Sequence, residues 1–469
     1  MKVLHVGYGF IPWRGGGLIE YAEDLMAEQV KKGYKVAYFC SGRHYPLYRK
    51  TFLKKWLKNG FTIYEVVNPP IYFGGDRGTV FDLDCYIIEK LFVKVIEEFQ
   101  PNIIHIQELA GLPSSLIDII ANNKIPSLMT LQDYFLLCPK LKLFDYNQND
   151  CFDKVIGRKC VFCVKDYYKN NKRTLIRNTL VYEVKKFPLL SGFLKQIYRF
   201  TKKFLQNVKS FVSHTYETNP LDLAIFFQKR RDLNINRLQK INLLIAQSLK
   251  VEEIYKFFLG ESSRVITLHL TVKHIENIKP KLINPTIPVK FGTLNGMTSI
   301  PKGANILYKA VEILNNKGLK KKFELHIYGG LLPEIAESIK NYNNIFYHGG
   351  YEVKKLNELL DNIDVGIIPS IWQEAFGYVG IEFLAKGIPV IGNNKGGIVD
   401  YTIDGFTGWI NKTSTSEELA EIMEQIIKKP DVIQEYNRKI IEKRNQIVKT
   451  MEQHFYEIDK IYKDVINKL

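Results

Sequence analysis

Two series of short apolar runs along the chain alternate with helical patterns. The first series covers roughly the amino-terminal quarter of the chain. Its predicted strands are Lys2–Val6, Tyr34–Cys40, Phe61–Val67, Ile103–Gln107 and Ser127–Leu131, and its predicted helices are Leu18–Val30, Tyr86–Phe99 and Ser114–Asn122. Uninterrupted apolar runs are typical of strands buried on both faces, and their alternation with helices is typical of a parallel sheet. The pattern therefore predicts an α/β domain.

A second series of the same kind begins at Val289. Its predicted strands are Val289–Leu294, Phe323–Tyr328, Ile345–His348, Asp364–Pro369 and Pro389–Gly392, and its predicted helices are Ala304–Asn316, Pro333–Tyr342, Lys354–Asn362 and Val379–Lys386. The last stretch, Ser416–Leu469, has an almost entirely helical pattern. A second α/β domain followed by terminal helices is therefore expected.

A stretch with three prolines, Pro280, Pro285 and Pro288, separates the two series and predicts a domain boundary. We expect two Rossmann-like domains that face each other across a cleft. A nucleotide-type ligand is expected at the carboxyl ends of their strands. The predicted division is residues 1–285 with a Cys-containing and basic helical insertion at 138–240, residues 286–440, and a terminal helix at 441–469 that packs back on the first domain.

Composition agrees with a folded protein and adds a strong positive charge. Hydrophobic residues make up 46% of the 469 residues and charged residues 25%, which excludes a disordered or fibrous chain. The formal net charge is +17, and this excess suggests an anionic partner. No apolar run is long enough for a membrane-spanning helix, and the amino terminus lacks a signal-peptide pattern, so a cytoplasmic protein is expected.

Three glycines, Gly15, Gly16 and Gly17, lie between the first predicted strand and the first predicted helix. Glycine lets the backbone approach a ligand closely, and the amino end of the following helix attracts an anion. A plain flexible turn is an equally good interpretation. The spacing is not G-x-G-x-x-G, which disfavours a dinucleotide-dependent dehydrogenase.

The segment Pro369–Gly392 holds two acidic residues around the start of a predicted helix. Glu374 lies in the loop after a strand, and Glu382 lies just inside the helix that Gly377 opens. The exposed N–H groups of Phe376, Gly377 and Tyr378 could bind a phosphate or a sugar. The alternative is that both acids are solvated residues favoured by the helix dipole.

This segment resembles the E-x7-E motif of the family 4 retaining glycosyltransferases, which have the GT-B fold. Further matches to that family follow in the expected order over nearly the whole chain. Besides the glycine loop they are Pro101–His105, Thr130–Tyr134 leading to Cys138–Pro139, Lys302–Gly303, Ile327–Gly329, His348–Gly349, Asp364–Val365 leading to Pro369–Ser370, Gly387–Ile391, Gly396–Gly397, Asp404–Gly405 and Thr407–Gly408.

The resemblance implies a role for each matching residue. Glu374 is expected to contact the donor sugar at the reaction centre, Glu382 the nucleotide ribose, and Lys302 the diphosphate. The remaining residues implied in donor binding are Gly16, Gly17, Gly296, Phe376, Gly377 and Tyr378. The resemblance also implies retention of anomeric configuration and no cofactor for catalysis.

Three positions depart from the family pattern. Met297 stands where members usually have an arginine, which leaves the diphosphate one fixed cation short. Gln132 stands where many have histidine, and it could still bond a sugar hydroxyl but cannot titrate. Asp400 stands where glutamate is common.

Four of the six cysteines, Cys138, Cys151, Cys160 and Cys163, crowd into one short stretch. Four thiolates are enough for a tetrahedral structural zinc, and the last two form a C-x2-C pair. The remaining spacing is irregular, so a set of free thiols is the alternative.

The segment from Lys165 to Lys209 holds twelve basic residues against two acids, with apolar residues between them. This composition favours contact with an anionic membrane surface, and a solvated helical face is the alternative. No nucleic-acid-binding motif accompanies the charge, so a nucleic-acid partner is not expected.

Together these features predict a glycosyltransferase that moves a sugar from a nucleoside diphosphate sugar to a glycan or lipid-linked glycan. Its expected place is the cytoplasm, at the inner face of the membrane, in cell-surface polysaccharide biosynthesis. The alternatives are a non-catalytic nucleotide-sugar-binding or scaffold protein of GT-B fold, or another GT-B enzyme such as a nucleotide-sugar epimerase.

Overall fold

The computed structural model describes residues 1–45, 50–71, 82–164 and 220–468, together with positions 176, 179, 180, 182 and 183. Most of the basic segment 165–209 lies outside these residues. Within the described residues the strands form two sheets, one in each half of the chain. The two-domain α/β architecture expected from the sequence is confirmed.

The first domain is built on an eight-stranded sheet in the order β3-β4-β2-β1-β5-β6-β7-β8. Its strands are β1 (Lys2–Gly7), β2 (Lys35–Ser41), β3 (Phe52–Lys58), β4 (Phe61–Val67), β5 (Ile103–Ile106), β6 (Ser127–Leu131), β7 (Leu243–Ala246) and β8 (Val265–Thr267). Its helices are α1 (Gly17–Lys31), α2 (Tyr86–Phe99), α3 (Leu116–Asn122), α4 (Gly157–Val164), α5 (Pro220–Leu238) and α6 (Leu249–Leu259).

Strand β3 was not expected from the pattern. It pairs antiparallel with β4 at the edge of the sheet, whereas the other pairs of this sheet are parallel. Its sequence, FLKKWLK, carries three lysines and has no fully buried position. A water-facing edge strand needs no uninterrupted apolar run, and lysines on it discourage pairing with another chain.

The second domain has a six-stranded parallel sheet in the order β11-β10-β9-β12-β13-β14. Its strands are β9 (Val289–Thr293), β10 (Phe323–Tyr328), β11 (Ile345–Gly349), β12 (Val365–Ile368), β13 (Val390–Asn393) and β14 (Gly408–Asn411). Its helices are α7 (Ala304–Asn316), α8 (Pro333–Ser338), α9 (Leu356–Leu359), α10 (Tyr378–Lys386), α11 (Ile398–Tyr401), α12 (Ser416–Lys428), α13 (Asp431–Glu442) and α14 (Arg444–Ile447).

Two helices of this domain are shorter than expected. The predicted helix Pro333–Tyr342 ends at Ser338 and continues as a 3-10 turn, Ile339–Asn341. The predicted helix Lys354–Asn362 is a single α-helical turn, α9, between two 3-10 turns. Both segments are only a few turns long, so each has few internal hydrogen bonds to hold a regular α-helix.

The last helix, α15 (Met451–Asn467), starts with a capping box at Thr450 and returns to the first domain. Its His454 Nε2 is 2.9 Å from the Tyr21 hydroxyl of α1. Its Tyr462 hydroxyl lies 3.0 Å from Gln29 Nε2 and 2.7 Å from His105 Nδ1. These buried contacts attach the carboxyl-terminal end of the chain to the first sheet.

In each sheet the strand order reverses beside a central strand, β1 in the first domain and β9 in the second. Ligands of open α/β sheets bind at this point, outside the carboxyl ends of the strands. The loop between β12 and α10 crosses from the second domain to the first, because Trp372 and Ala375 pack in the first domain's core. This crossing places the loop between the two reversal points.

None of the helices in the described part of the chain combines the length and the apolar character that a bilayer crossing requires.

Candidate functional site

A cavity of about 470 Å³ lies between the two domains at the carboxyl ends of their strands. Both domains line it. The first domain and the segment after it contribute Gly17, Leu18, Glu20, Gln132, Asp133, Lys142, Gln247 and His274, and the second contributes Asn295, Lys302, Trp372, Glu374, Phe376, Gly377, Tyr378 and Glu382. The acids, the lysine and the helix start that the sequence singled out therefore meet at one place. Gly16 and Gly296 do not line this cavity.

Glu374 lies within the loop that crosses between the domains, with 5% of its surface exposed. Its Oε1 accepts a hydrogen bond from Ser370 Oγ at 2.8 Å and forms an ion pair with Lys302. Its backbone is equally constrained, because Gly397 N donates to its carbonyl at 2.8 Å. A Cβ on Gly396 would lie 2.1 Å from that carbonyl oxygen, so the Gly-Gly turn is required for this approach.

Glu382 projects from the first turns of α10 and is 6% exposed. Its Oε1 lies 2.7 Å from His274 Nε2, while its Oε2 is buried and has no hydrogen-bond partner in the described structure. The other ring nitrogen of His274 lies 2.8 Å from Glu20 Oε1 on α1. One imidazole thus connects a carboxylate of each domain and leaves one oxygen of Glu382 for a ligand.

His274 is held as a cation in this position. Burial alone would lower its pKa, but the hydrogen bonds and charges of Glu20 and Glu382 raise the pKa of His274 to about 10. A histidine in an unfolded chain titrates near its reference pKa of about 6.5. The folded protein therefore binds one more proton than the unfolded chain between these two values, and its stability falls as the pH rises through that window.

We expect His274→Gln to remove this pH dependence. The free energy of unfolding of the wild type should exceed that of the variant below pH 6.5, and the difference should shrink by about 1 kcal/mol or more toward pH 10. Urea denaturation of both proteins at pH 6.5, 8 and 9.5 measures this difference. Glutamine keeps a hydrogen-bonding side chain without the charge. A constant difference over this range would contradict the assignment of His274 as a cation.

Gly17 starts α1 and faces the second domain. A Cβ at this position would lie 2.8 Å from the Tyr378 ring, so glycine permits the contact between the two domains. At Gly296 the backbone itself requires glycine, because its φ is 60° and a Cβ would lie 2.4 Å from the Gly330 carbonyl oxygen, and its expected contact with the donor stays a prediction. Gly16, at φ 125°, caps α1 with open space around it.

Gln132 is presented to the cavity by a buried chain of hydrogen bonds. Its Nε2 donates to Gln107 Oε1 at 3.0 Å, and Gln107 Nε2 lies 3.0 Å from His5 Nδ1. His5 Nε2 lies 2.8 Å from Gln29 Oε1, and Gln29 bonds Tyr462 of α15. Burial lowers the pKa of His5 to about 4, so its ring is neutral and can both accept and donate. Gln132 Oε1 is left buried and without a partner among the described residues, as an acceptor beside the cavity.

The other positions that depart from the family pattern lie away from the cavity. Met297 is 1% exposed in the core of the second domain, so its side chain supplies only packing. Asp400 Oδ2 accepts from Leu249 N at 2.9 Å and lies 2.8 Å from His269 Nε2, which joins the two domains.

Several cavity residues had no signal in the sequence pattern. Lys142 and Gln247 lie in irregular segments and His274 in a 3-10 turn, and no motif marks these three. Trp372 lies inside the motif segment Pro369–Gly392, but the sequence pattern predicts no role for it. Gln247 Nε2 and Trp372 Nε1 are buried donors that have no partner in the described parts of the chain. Both are therefore available to a ligand in the cavity.

The four clustered cysteines are free thiols, and Cys163 is the most exposed of them. Cys151 and Cys160 pack with apolar side chains of α4 and α5. Burial raises the pKa of both thiols, that of Cys160 to about 12. No three His, Cys, Asp or Glu side chains of the described residues are placed to hold one metal ion. The described geometry therefore agrees with free thiols and adds no support for zinc, which stays a prediction.

Comparison with known sequences identifies the second domain. Residues 293–447 match the family model described as glycosyl transferases group 1. A stretch of 123 residues is 29% identical to an uncharacterised 41.2 kDa protein in the cps region of Klebsiella pneumoniae, and it covers 26% of this chain and about a third (33%) of that protein. Over 283 residues the chain is 24% identical to the uncharacterised glycosyltransferase MJ1178 of Methanocaldococcus jannaschii, covering 56% of this chain and 78% of that protein. Over 132 residues it is 30% identical to the capsular polysaccharide biosynthesis glycosyltransferase CapM of Staphylococcus aureus, covering 27% and 33%.

Comparison with solved structures extends the likeness to the whole chain. The sucrose-phosphate synthase of Thermosynechococcus elongatus superposes with a TM-score of 0.62 at 13% identity and covers 100% of both chains. Anabaena HepE in complex with UDP-glucose superposes with a TM-score of 0.57 at 14% identity, covering 98% of this chain and 99% of that chain. These identities establish the fold and nothing beyond it. The chain has the GT-B fold, and its residues 293–447 form a group 1 glycosyltransferase domain.

Proposed function

We propose that the chain transfers a sugar from a nucleoside diphosphate sugar to a glycan or lipid-linked glycan, with retention of anomeric configuration, in cell-surface polysaccharide biosynthesis. One observation carries the proposal. Glu374, Lys302 and Glu382 meet in the interdomain cavity, where Glu382 keeps one buried oxygen without a partner among the described residues. The basic segment 165–209 would hold the enzyme near an anionic membrane surface at the cytoplasmic face.

Each group has a chemical task in this proposal. The free oxygen of Glu382 accepts hydrogen bonds from the ribose hydroxyls of the donor. The Lys302 ammonium neutralises the diphosphate, whose negative charge grows as the sugar leaves. Fixed charges aimed at developing charge are the strongest means by which enzymes lower such barriers. Glu374, beside that ammonium, contacts the donor sugar near the reacting carbon.

The named relatives support two finer parts of the proposal. HepE was solved with UDP and with UDP-glucose, which supports a uridine nucleotide as the first donor to test. CapM is named for capsular polysaccharide biosynthesis, which supports a glycan acceptor.

A panel of nucleotide sugars tests this function. Purified enzyme is incubated with each donor, starting with UDP-glucose, and release of the free nucleoside diphosphate is followed. We expect one donor to be hydrolysed slowly without acceptor, since water can enter the cavity and replace the acceptor. Binding without release for every donor would favour the non-catalytic alternative. Conversion of a nucleotide sugar to its epimer would identify the epimerase alternative.

A further inference from the structure

Two lysines from different domains face the same part of the interdomain cavity. Lys302 comes from the second domain and Lys142 from the loop that follows β6 in the first, and both line the cavity. Lys302 Nζ lies 5.4 Å and Lys142 Nζ 5.8 Å from the centre of the Trp372 ring. The two ammonium groups therefore flank a common surface, on which the buried Trp372 Nε1 has no partner in the described structure.

The backbone around Lys142 is held in an uncommon conformation. Leu141 and Leu143, its two neighbours, have φ values of 65° and 46°. Branched, bulky residues rarely adopt positive φ, and such strain persists only where the surroundings impose it. Here Tyr134 N donates to the Leu141 carbonyl at 3.1 Å, and Cys151 N donates to the Leu143 carbonyl at 2.8 Å. The first domain thus fixes the loop at Lys142.

The far end of the same loop is attached to the second domain. Asp150 Oδ2 accepts from Gln373 Nε2 at 2.8 Å and forms an ion pair with Lys395 at 2.9 Å. Gln373 also accepts from Gly396 N at 2.8 Å through its Oε1. Because Gln373 precedes Glu374, the contacts of Asp150 hold the loop against the segment that carries the proposed catalytic acid.

The charges near Lys142 leave room for an anion. Burial lowers the pKa of Lys142, and the nearby Lys302 lowers it further. Glu374 is already paired with Lys302, and in the described part of the chain Lys142 has no carboxylate partner of its own. Two ammonium groups that face one carboxylate leave an excess of positive charge, and a ligand with several negative charges would compensate it best.

We propose that Lys142 is the second cation for the diphosphate of the donor, supplied by the domain opposite to Lys302. This inference rests on the proposed function. At Met297 this chain has a buried thioether where the family usually has arginine, so that position supplies no cation. Lys142 would compensate for the missing charge. A diphosphate bound between Lys142 and Lys302 would also bridge the two domains, so donor binding would stabilise the contact between them.

Binding of inorganic pyrophosphate tests the proposal without a known base or sugar. Isothermal titration compares the wild type with Lys142→Met, Lys142→Arg and the control Lys140→Met, which alters a lysine of the same loop that does not line the cavity. We expect Lys142→Met to raise the dissociation constant by about 10-fold to 100-fold, which is typical for loss of a charge-assisted contact. Lys142→Arg should stay within about 3-fold and Lys140→Met should match the wild type.

A second measurement needs no variant that has to fold. Reductive methylation of lysines in the wild type, followed by mass spectrometry, should show Lys142 protected by pyrophosphate and Lys140 unprotected. Equal affinities of Lys142→Met and Lys140→Met, or no protection of Lys142, would overturn the proposal. Pyrophosphate binding that depends on Lys142, with no turnover of any nucleotide sugar, would support this site while refuting the proposed transfer.

Discussion

Turnover of Glu374→Gln is expected to fall by about 100-fold to 1,000-fold, the range seen when one electrostatic contact to a transition state is removed. Glutamine keeps the shape of the side chain and the hydrogen bond from Ser370, but it removes the negative charge beside Lys302. The lysine then has no carboxylate to compensate it there. Binding of the nucleoside diphosphate should accordingly stay equal or become tighter, because the ammonium is free for the phosphates.

A comparison of Glu374→Gln with Glu382→Ala distinguishes the roles of the two acids in turnover and in nucleotide binding. Glu382 lies on α10 with its free oxygen at the cavity, so its loss should weaken binding of the nucleoside diphosphate. Steady-state rates on the donor found in the panel, and titration of the corresponding nucleoside diphosphate, give both quantities for both variants. Unchanged turnover of Glu374→Gln would remove Glu374 from the reaction centre. Unchanged affinity of Glu382→Ala would remove the ribose assignment.

Gly303→Ala is expected to destabilise the protein by more than about 3 kcal/mol or to prevent its folding. Gly303 has φ 77°, and a Cβ on it would lie 1.7 Å from the Pro369 carbonyl oxygen. The close approach joins the turn that carries Lys302 to the loop that carries Glu374, and Ile371 N donates to Pro301 O at 2.9 Å beside it. A side chain at Gly303 must therefore separate the two halves of the ion pair.

Gly318→Ala is the matched control, since Gly318 has φ 78° and a Cβ on it would meet nothing within 4 Å. Its expected cost is only that of a left-handed backbone, about 1 to 2 kcal/mol. Chemical denaturation of both variants measures the difference, which isolates the steric contact from the backbone conformation. Similar losses for the two alanines would show that the Gly303–Pro369 contact contributes little.

Sequence motifs mark some of the residues on which the proposed chemistry depends, but they do not mark others. Glu374, Lys302 and Glu382 belong to motifs, and the structure brings all three to one cavity. His274 belongs to none, yet it joins Glu20 and Glu382, which lie 254 and 108 positions away from it. No motif marks Lys142 either, because the sequence of an irregular loop does not predict the direction of a single lysine side chain. Four cysteines crowd together in the sequence, but no three metal-binding side chains of the described residues are placed to hold one metal ion, so the zinc hypothesis stays a prediction.

Local patterns by themselves determined most of the secondary structure and the fold class. Helix α2 begins and ends where the pattern placed it, because side chains three and four positions apart share one helix face regardless of the rest of the chain. The tertiary structure alone decided the edge strand β3, the buried contacts by which α15 reaches the first sheet, and the pairing of Lys302 with Glu374. These contacts form only in the folded chain: β3 pairs with β4 at the edge of the first sheet, Lys302 meets Glu374 within the second domain, and α15 reaches the first sheet from the end of the chain. The sequence pattern indicates which residues are buried, but the tertiary packing decides which of them are in contact.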